Sequence, residues 1–154
     1  MAKNLEAEAR DALEMVTRHG VNGVPVNRDA LNYGLEHGLY GQADVDNAQL
    51  AYQQTEARDA LEMVTRHGVN GVPVNRDALN YGLEHGLYGQ ADVDNAQLAY
   101  QQTEARDALE MVTRHGVNGV PVNRDALNYG LEHKIFSQID VDAAQTKYKR
   151  AEKR

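Results

Sequence analysis

The stretch EARDALEMVTRHGVNGVPVNRDALNYGLEHGLYGQADVDNAQLAYQQT occupies residues 8–55 and recurs without one substitution at 56–103. A third copy begins at Glu104, stays identical through His133, and then changes to KIFSQIDVDAAQTKYKRAEKR. Within that altered ending Asp140, Val141, Asp142, Ala144, Gln145 and Tyr148 still stand where Asp44, Val45, Asp46, Ala48, Gln49 and Tyr52 stand in the first copy. A period of 48 residues confines the chain to architectures that stack one supersecondary unit on itself, because so short a unit cannot bury its apolar face alone. The expected organisation is a single array over 1–154: repeat 1 at 8–55, repeat 2 at 56–103, and repeat 3 at 104–151 with a variant C-terminal cap.

Within the unit the periodicity is helical. Ala9, Ala12, Leu13 and Val16 recur at the spacing of one helix face, and Arg10, Glu14 and Arg18 sit four apart on the other, spaced for two ion pairs. Gly20 closes this helix, with His19 beside the free carbonyls of its last turn. The connection VNGVPVN at 21–27 reads as extended, its three valines laid on the core, because Asn22-Gly23 favours a turn and Pro25 keeps Val24 out of helix. Asn27 is placed to cap a short helix to His37, with Leu31, Gly34 and Leu35 as its buried stripe; Gly34 predicts a neighbouring backbone crossing close by. After a loop at 39–42, Asp44 is expected to cap a long helix. Neither proline nor glycine interrupts Val45 to His67, so this helix should pass straight through the boundary between copies. The prediction is an all-α tandem-repeat α-solenoid of alternating long and short helices, about seven in number, at 2–19, 28–37, 45–67, 76–85, 93–115, 124–133 and 141–152. An open array is expected rather than a closed ring, because the first and last segments differ from the internal ones as capping ends do.

Identity this complete is informative, because exposed positions tolerate substitution and drift first. Here even Gln53, Gln54 and Thr55 return unchanged as Gln101, Gln102 and Thr103. Two origins fit: deliberate copying of one unit, or very recent duplication. On that repetition the whole chain resembles engineered α-helical tandem-repeat proteins, a resemblance that implies a regular folded scaffold with no natural ligand.

Charge and composition narrow the partners. A full repeat carries Glu8, Asp11, Glu14, Asp29, Glu36, Asp44 and Asp46 against Arg10, Arg18 and Arg28, whereas the variant ending carries Lys134, Lys147, Lys149, Arg150, Lys153 and Arg154 against Asp140, Asp142 and Glu152. An acidic body disfavours nonspecific nucleic-acid binding, which draws its affinity from cationic side chains. The chain has no cysteine, which removes thiolate metal sites and thiol nucleophiles and suits a reducing compartment. No apolar run approaches the roughly 20 residues of a membrane span, and MAKNLEAEAR lacks the apolar core of a signal peptide, so the expected localisation is cytoplasmic.

Candidate chemistry is sparse. His19, His37, His67, His85, His115 and His133 recur in phase, but five of the six precede glycine and all lie at expected helix ends, where imidazole caps carbonyls. Asp44 and Asp46 echo the start of a calcium loop, yet Gln49 stands at the turn-glycine position and Thr55 at the position of the bidentate glutamate. The segment GVPVNRDAL at 23–31 is faintly similar to helix-hairpin-helix loops that hold DNA phosphates, but Pro25 removes an amide donor there and no lysine accompanies it. Ser137 and Thr17 have no histidine and aspartate in a triad pattern. Tyr33, Tyr40 and Tyr52 are expected to line the core or the interface between units with their hydroxyls in water; repeated three times, they could instead line a peptide groove. The expectation is therefore no enzyme, no catalytic, cofactor-binding or metal residues, no cofactor and no required partner. The alternative is a protein- or peptide-binding repeat module, with self-association through the long helices open to it; a nucleic-acid-binding helical hairpin array is the lesser alternative.

Overall fold

A computed structural model describes residues 2–153. Among them are seven helices and no strand: α1 (Ala2–His19), α2 (Arg28–Glu36), α3 (Gln42–His67), α4 (Arg76–Glu84), α5 (Gln90–His115), α6 (Arg124–Glu132) and α7 (Gln138–Glu152). Long and short helices alternate in the order of an α-solenoid. α3 and α5 each run 26 residues through a junction between copies, about 39 Å at 1.5 Å per residue. The chain divides into two compact units, one holding residues up to Leu61 together with Asn75–Gly89, the other Glu62–Val74 together with the residues from Gln90 onward.

In the first unit α1 packs on α2, around a core of Ala12, Val16, Val26, Ala30, Leu31, Val45 and Ala48. In the second, α5 packs on α6 and α7 around the equivalent Ala108, Val112, Val122, Ala126, Leu127, Val141 and Ala144, joined by Ala105 and Phe136. These are small side chains. The largest that are fully buried are Val16, Val64 and Val112, so the helices meet through alanine and glycine faces rather than through interdigitated leucines.

Several local expectations hold and several need correction. Asn27 caps α2 as expected, its Oδ1 accepting the Ala30 amide at 3.0 Å. Asp44 is not the cap of α3. The helix begins earlier, at Gln42, and Asp44 lies inside its first turn, accepting the Gly41 amide at 2.8 Å. Starting there lets the carboxylate satisfy a donor just before the helix while sitting at the positive end of its dipole. In α7 Ser137 takes the place of Gly41, and Asp140 accepts from both its amide and its hydroxyl, at 2.9 and 3.1 Å. Arg18 pairs with Glu14 at 2.8 Å, but Arg10 turns the other way, to Glu6 at 3.9 Å; both pairs are exposed and hold little of the fold. The three valines of the connection divide. Val26 is buried and Val21 half-buried, while Val24 is 98% exposed, because the turns closed by Gly23 N–H to Gly20 O (2.9 Å) and Val26 N–H to Gly23 O (3.1 Å) lift it away from the core.

Gly34 has a different neighbour from the expected backbone. A Cβ built there would meet the ring of Tyr40, with Cε2 only 2.7 Å away. Gly82 faces Tyr88 and Gly130 faces Phe136 in the same way. An aromatic ring wedged at a helical glycine cannot retreat as a flexible chain end would. Alanine at position 34 should therefore destabilise the protein by about 1–2 kcal/mol, the overpacking cost exceeding the roughly 1 kcal/mol gained in helix propensity. A urea midpoint for Gly34→Ala at or above that of the parent would show that the ring yields freely.

Candidate functional site

Each repeat holds its aromatic residues by a small set of polar contacts. Tyr40, on the loop between α2 and α3, donates its hydroxyl proton to the Ala9 carbonyl of α1 at 2.8 Å and approaches the Leu31 carbonyl of α2 at 3.3 Å. Tyr88 repeats both contacts with Ala57 and Leu79, at 2.8 and 3.3 Å. These hydroxyls are thus not in water, contrary to expectation; the loop is tight enough to turn the ring inward, and the helix carbonyls are within its reach. Gln49 on α3 accepts the Val21 amide at 2.6 Å, and Gln97 and Gln145 do the same for Val69 and Val117 at 2.7 Å. Tyr33 stacks on His37 with ring centroids 3.9 Å apart, and the His37 Nδ1 lies 3.0 Å from the Tyr33 carbonyl. That histidine caps a helix end as the sequence implied.

Tyr52 has another setting. Its ring lies over Gly20, where a built Cβ would be 2.8 Å from Cε2, and its outer edge opens on a cleft of about 340 Å³ in the first unit. The cleft is bounded by Tyr52, Gln53 and Glu56 of α3 on one side and by Asn75, Asp77, Ala78 and Tyr81, at the start of α4, on the other. The second unit contains its counterpart of about 320 Å³, between Tyr100, Gln101 and Glu104 of α5 and Asn123, Asp125, Ala126 and Tyr129 of α6. The local sequence explains why this feature belongs to the junctions. Tyr52 and Gln53 close one copy and Glu56 opens the next, whereas Asn4 and Leu5 stand in the corresponding places before Glu8.

Both clefts are lined by two tyrosines and two carboxylates and by no cationic side chain. Burial raises the Tyr52 hydroxyl above its ordinary value, and the neighbouring Glu56 carboxylate pushes it further through its charge and a hydrogen bond; Tyr100 responds likewise to Glu104. Asn75 and Asn123 are committed to capping, each accepting a helix amide at 3.0 Å. What faces a ligand is negative charge beside aromatic surface, Glu56 and Glu104 holding a tyrosine hydroxyl and no cation, an arrangement suited to cations.

The other sequence candidates are absorbed by structure. Asp46 accepts from the Gln42 side chain at 3.0 Å, so both members of the Asp44–Asp46 pair serve the first turn of α3. Two amides of the 20–27 connection are occupied by its own carbonyls. Ser137 serves α7 as described. Among the described residues no group of three or more His, Asp or Glu side chains converges on a point where a metal could sit, and no helix is long and apolar enough to cross a membrane. No protein-family model matches the chain, and comparison with curated proteins and with solved structures likewise finds no match.

Gln49 and the hydroxyl contact of Tyr40 escaped the sequence reading, although the first left a trace: Gln145 keeps its place through the variant ending. Two outcomes follow. Tyr40→Phe should cost about 0.5–1 kcal/mol in denaturant unfolding, at the low end for a hydrogen bond, because the carbonyls it abandons are helix carbonyls that keep their backbone donors. Burial also raises Tyr40 and Tyr88 above the usual tyrosine value of 10.0, so the neutral hydroxyl is the form the fold favours. Their contribution is complete below the unfolded value and is lost as pH rises through the folded one. The melting temperature should fall above about pH 10, and less steeply in Tyr40→Phe/Tyr88→Phe, as thermal scans followed by circular dichroism would record.

Proposed function

We propose that the chain is a non-catalytic, engineered helical-repeat scaffold, made by copying one 48-residue unit and having no natural ligand. The observation that carries this reading is the recurrence of one set of internal contacts. The glutamine that accepts an amide of the preceding connection occurs in all three copies at a sequence separation of 28, and the tyrosine that reaches a preceding helix occurs in the first two at a separation of 31. Outside the clefts, the side chains the sequence offered for chemistry, among them Asp44, Asp46, His37 and Ser137, are spent on internal contacts. Copying accounts for identity that extends to the exposed Thr55, although Gln53 and Gln54 beside it are half-buried.

A second reading, a module that binds a peptide or protein, draws support from the matched clefts beside Tyr52 and Tyr100. Charge and the occupied amides of the 20–27 connection weigh against nucleic acid.

The scaffold reading is tested by excision. Removing residues 56–103 joins Thr55 to Glu104 and regenerates the original junction residue for residue. The shortened chain should remain helical by circular dichroism and melt in one transition at a lower temperature than the parent, as nearest-neighbour stacking requires. An unfolded or aggregated product would mean that the three copies are not interchangeable modules.

A further inference from the structure

The last turns of α7 and the junction clefts have opposite chemistry. Lys147, Lys149, Arg150 and Lys153 are all exposed, Lys147 three residues before Arg150 and Lys149 four before Lys153, so that they surround the helix end with positive charge. None makes an ion pair among the described residues. The clefts present Glu56 with Asp77, and Glu104 with Asp125, and these carboxylates also lack a cationic partner among the described residues. In the second unit, which contains both a cleft and the basic helix end, no ion pair joins them among the described residues: α7 is helical to Glu152 and is held to the connection after α5 by Gln145 on Val117 and by Tyr148 over Gly116. The basic side chains are held out in solvent.

We propose that the basic end of α7 in one molecule docks in the tyrosine- and carboxylate-lined junction cleft of a second copy. Lysine and arginine stems would lie along the rings of Tyr52 and Tyr81, or of Tyr100 and Tyr129, with their charged heads at the carboxylates. The inference rests on the binding reading of the clefts and not on the scaffold reading. The contact is heterologous, since the surface that donates cations differs from the one that receives them. Each chain offers two clefts and one basic helix end, so association should continue beyond a dimer as concentration rises.

Sedimentation equilibrium on the full-length chain tests this. At about 0.05 M salt the mean mass should rise with protein concentration, and at about 0.5 M, where the Debye length falls from roughly 14 to roughly 4 Å, association should weaken at least about tenfold. Two variants separate the halves of the contact: Glu56→Gln/Asp77→Asn/Glu104→Gln/Asp125→Asn, and Lys147→Gln/Lys149→Gln/Arg150→Gln/Lys153→Gln. Each alone should be monomeric, and an equimolar mixture should recover a complex, because one variant keeps the basic helix end and the other keeps the clefts. The second changes only exposed side chains and so keeps the fold independently of the first. A parent that is monomeric at low salt, association that persists in either variant or at high salt, or a mixture that fails to associate would each overturn the proposal. So would binding of an added oligoarginine peptide by a parent that stays monomeric on its own, which would assign the clefts to a foreign basic ligand. None of these outcomes depends on whether the excised two-repeat chain folds.

Discussion

The structure depends on a ring set against a glycine. A core of alanine and valine brings helices close but gives each little apolar area to bury, and each buried valine contributes only about 1.5–3 kcal/mol relative to exposure. Tyr40 supplies what the small residues lack. Its ring fills the space above Gly34, and its hydroxyl reaches over to α1, so one side chain joins the loop to both helices that precede it. Where Phe136 replaces it, the ring contact with Gly130 remains and the side chain is 8% exposed. The ring is therefore common to all three copies and the hydroxyl is not, which separates the packing role from the polar one.

The variant ending works as an internal experiment. Residues from Lys134 onward differ widely from the earlier copies, yet Gln138, Asp140, Val141, Asp142, Ala144, Gln145, Tyr148 and Glu152 are retained, and the fold uses them. Asp140 satisfies the amide before α7, Asp142 accepts from Gln138, Val141 and Ala144 are buried, Gln145 takes the Val117 amide, and Tyr148 lies over Gly116. Tyr148 also keeps its partner four residues on, Glu152, whose hydrogen bond raises the hydroxyl above its ordinary value, followed by desolvation and the carboxylate charge. Against this, Lys153 stands where Ala57 and Ala105 are wholly buried. A charged side chain there could not occupy the environment those alanines have without an uncompensated desolvation cost.

The clefts arise where the end of one copy runs into the start of the next, so that Tyr52 and Glu56 come to lie four residues apart on one helix. Neither residue type is unusual by itself. Continuous helix through the junction places them on one face, and the start of α4 supplies the opposite wall.

The repeat, the helical class, the alternation of long and short elements, the Asn27 cap and the passage of helix through each junction were legible in the chain alone, because they follow from identity, periodicity and the position of proline and glycine. What lay beyond it were contacts between residues distant in sequence. That Gly34 makes room for a tyrosine rather than a backbone, that Tyr40 bonds to Ala9, that Gln49 reaches Val21, and that Val24 points away from the core while Val26 enters it all depend on how the loops turn. Local propensity specifies a helix and its ends. Which side chain fills the gap between two helices is decided by their approach, and that is a property of packing in three dimensions.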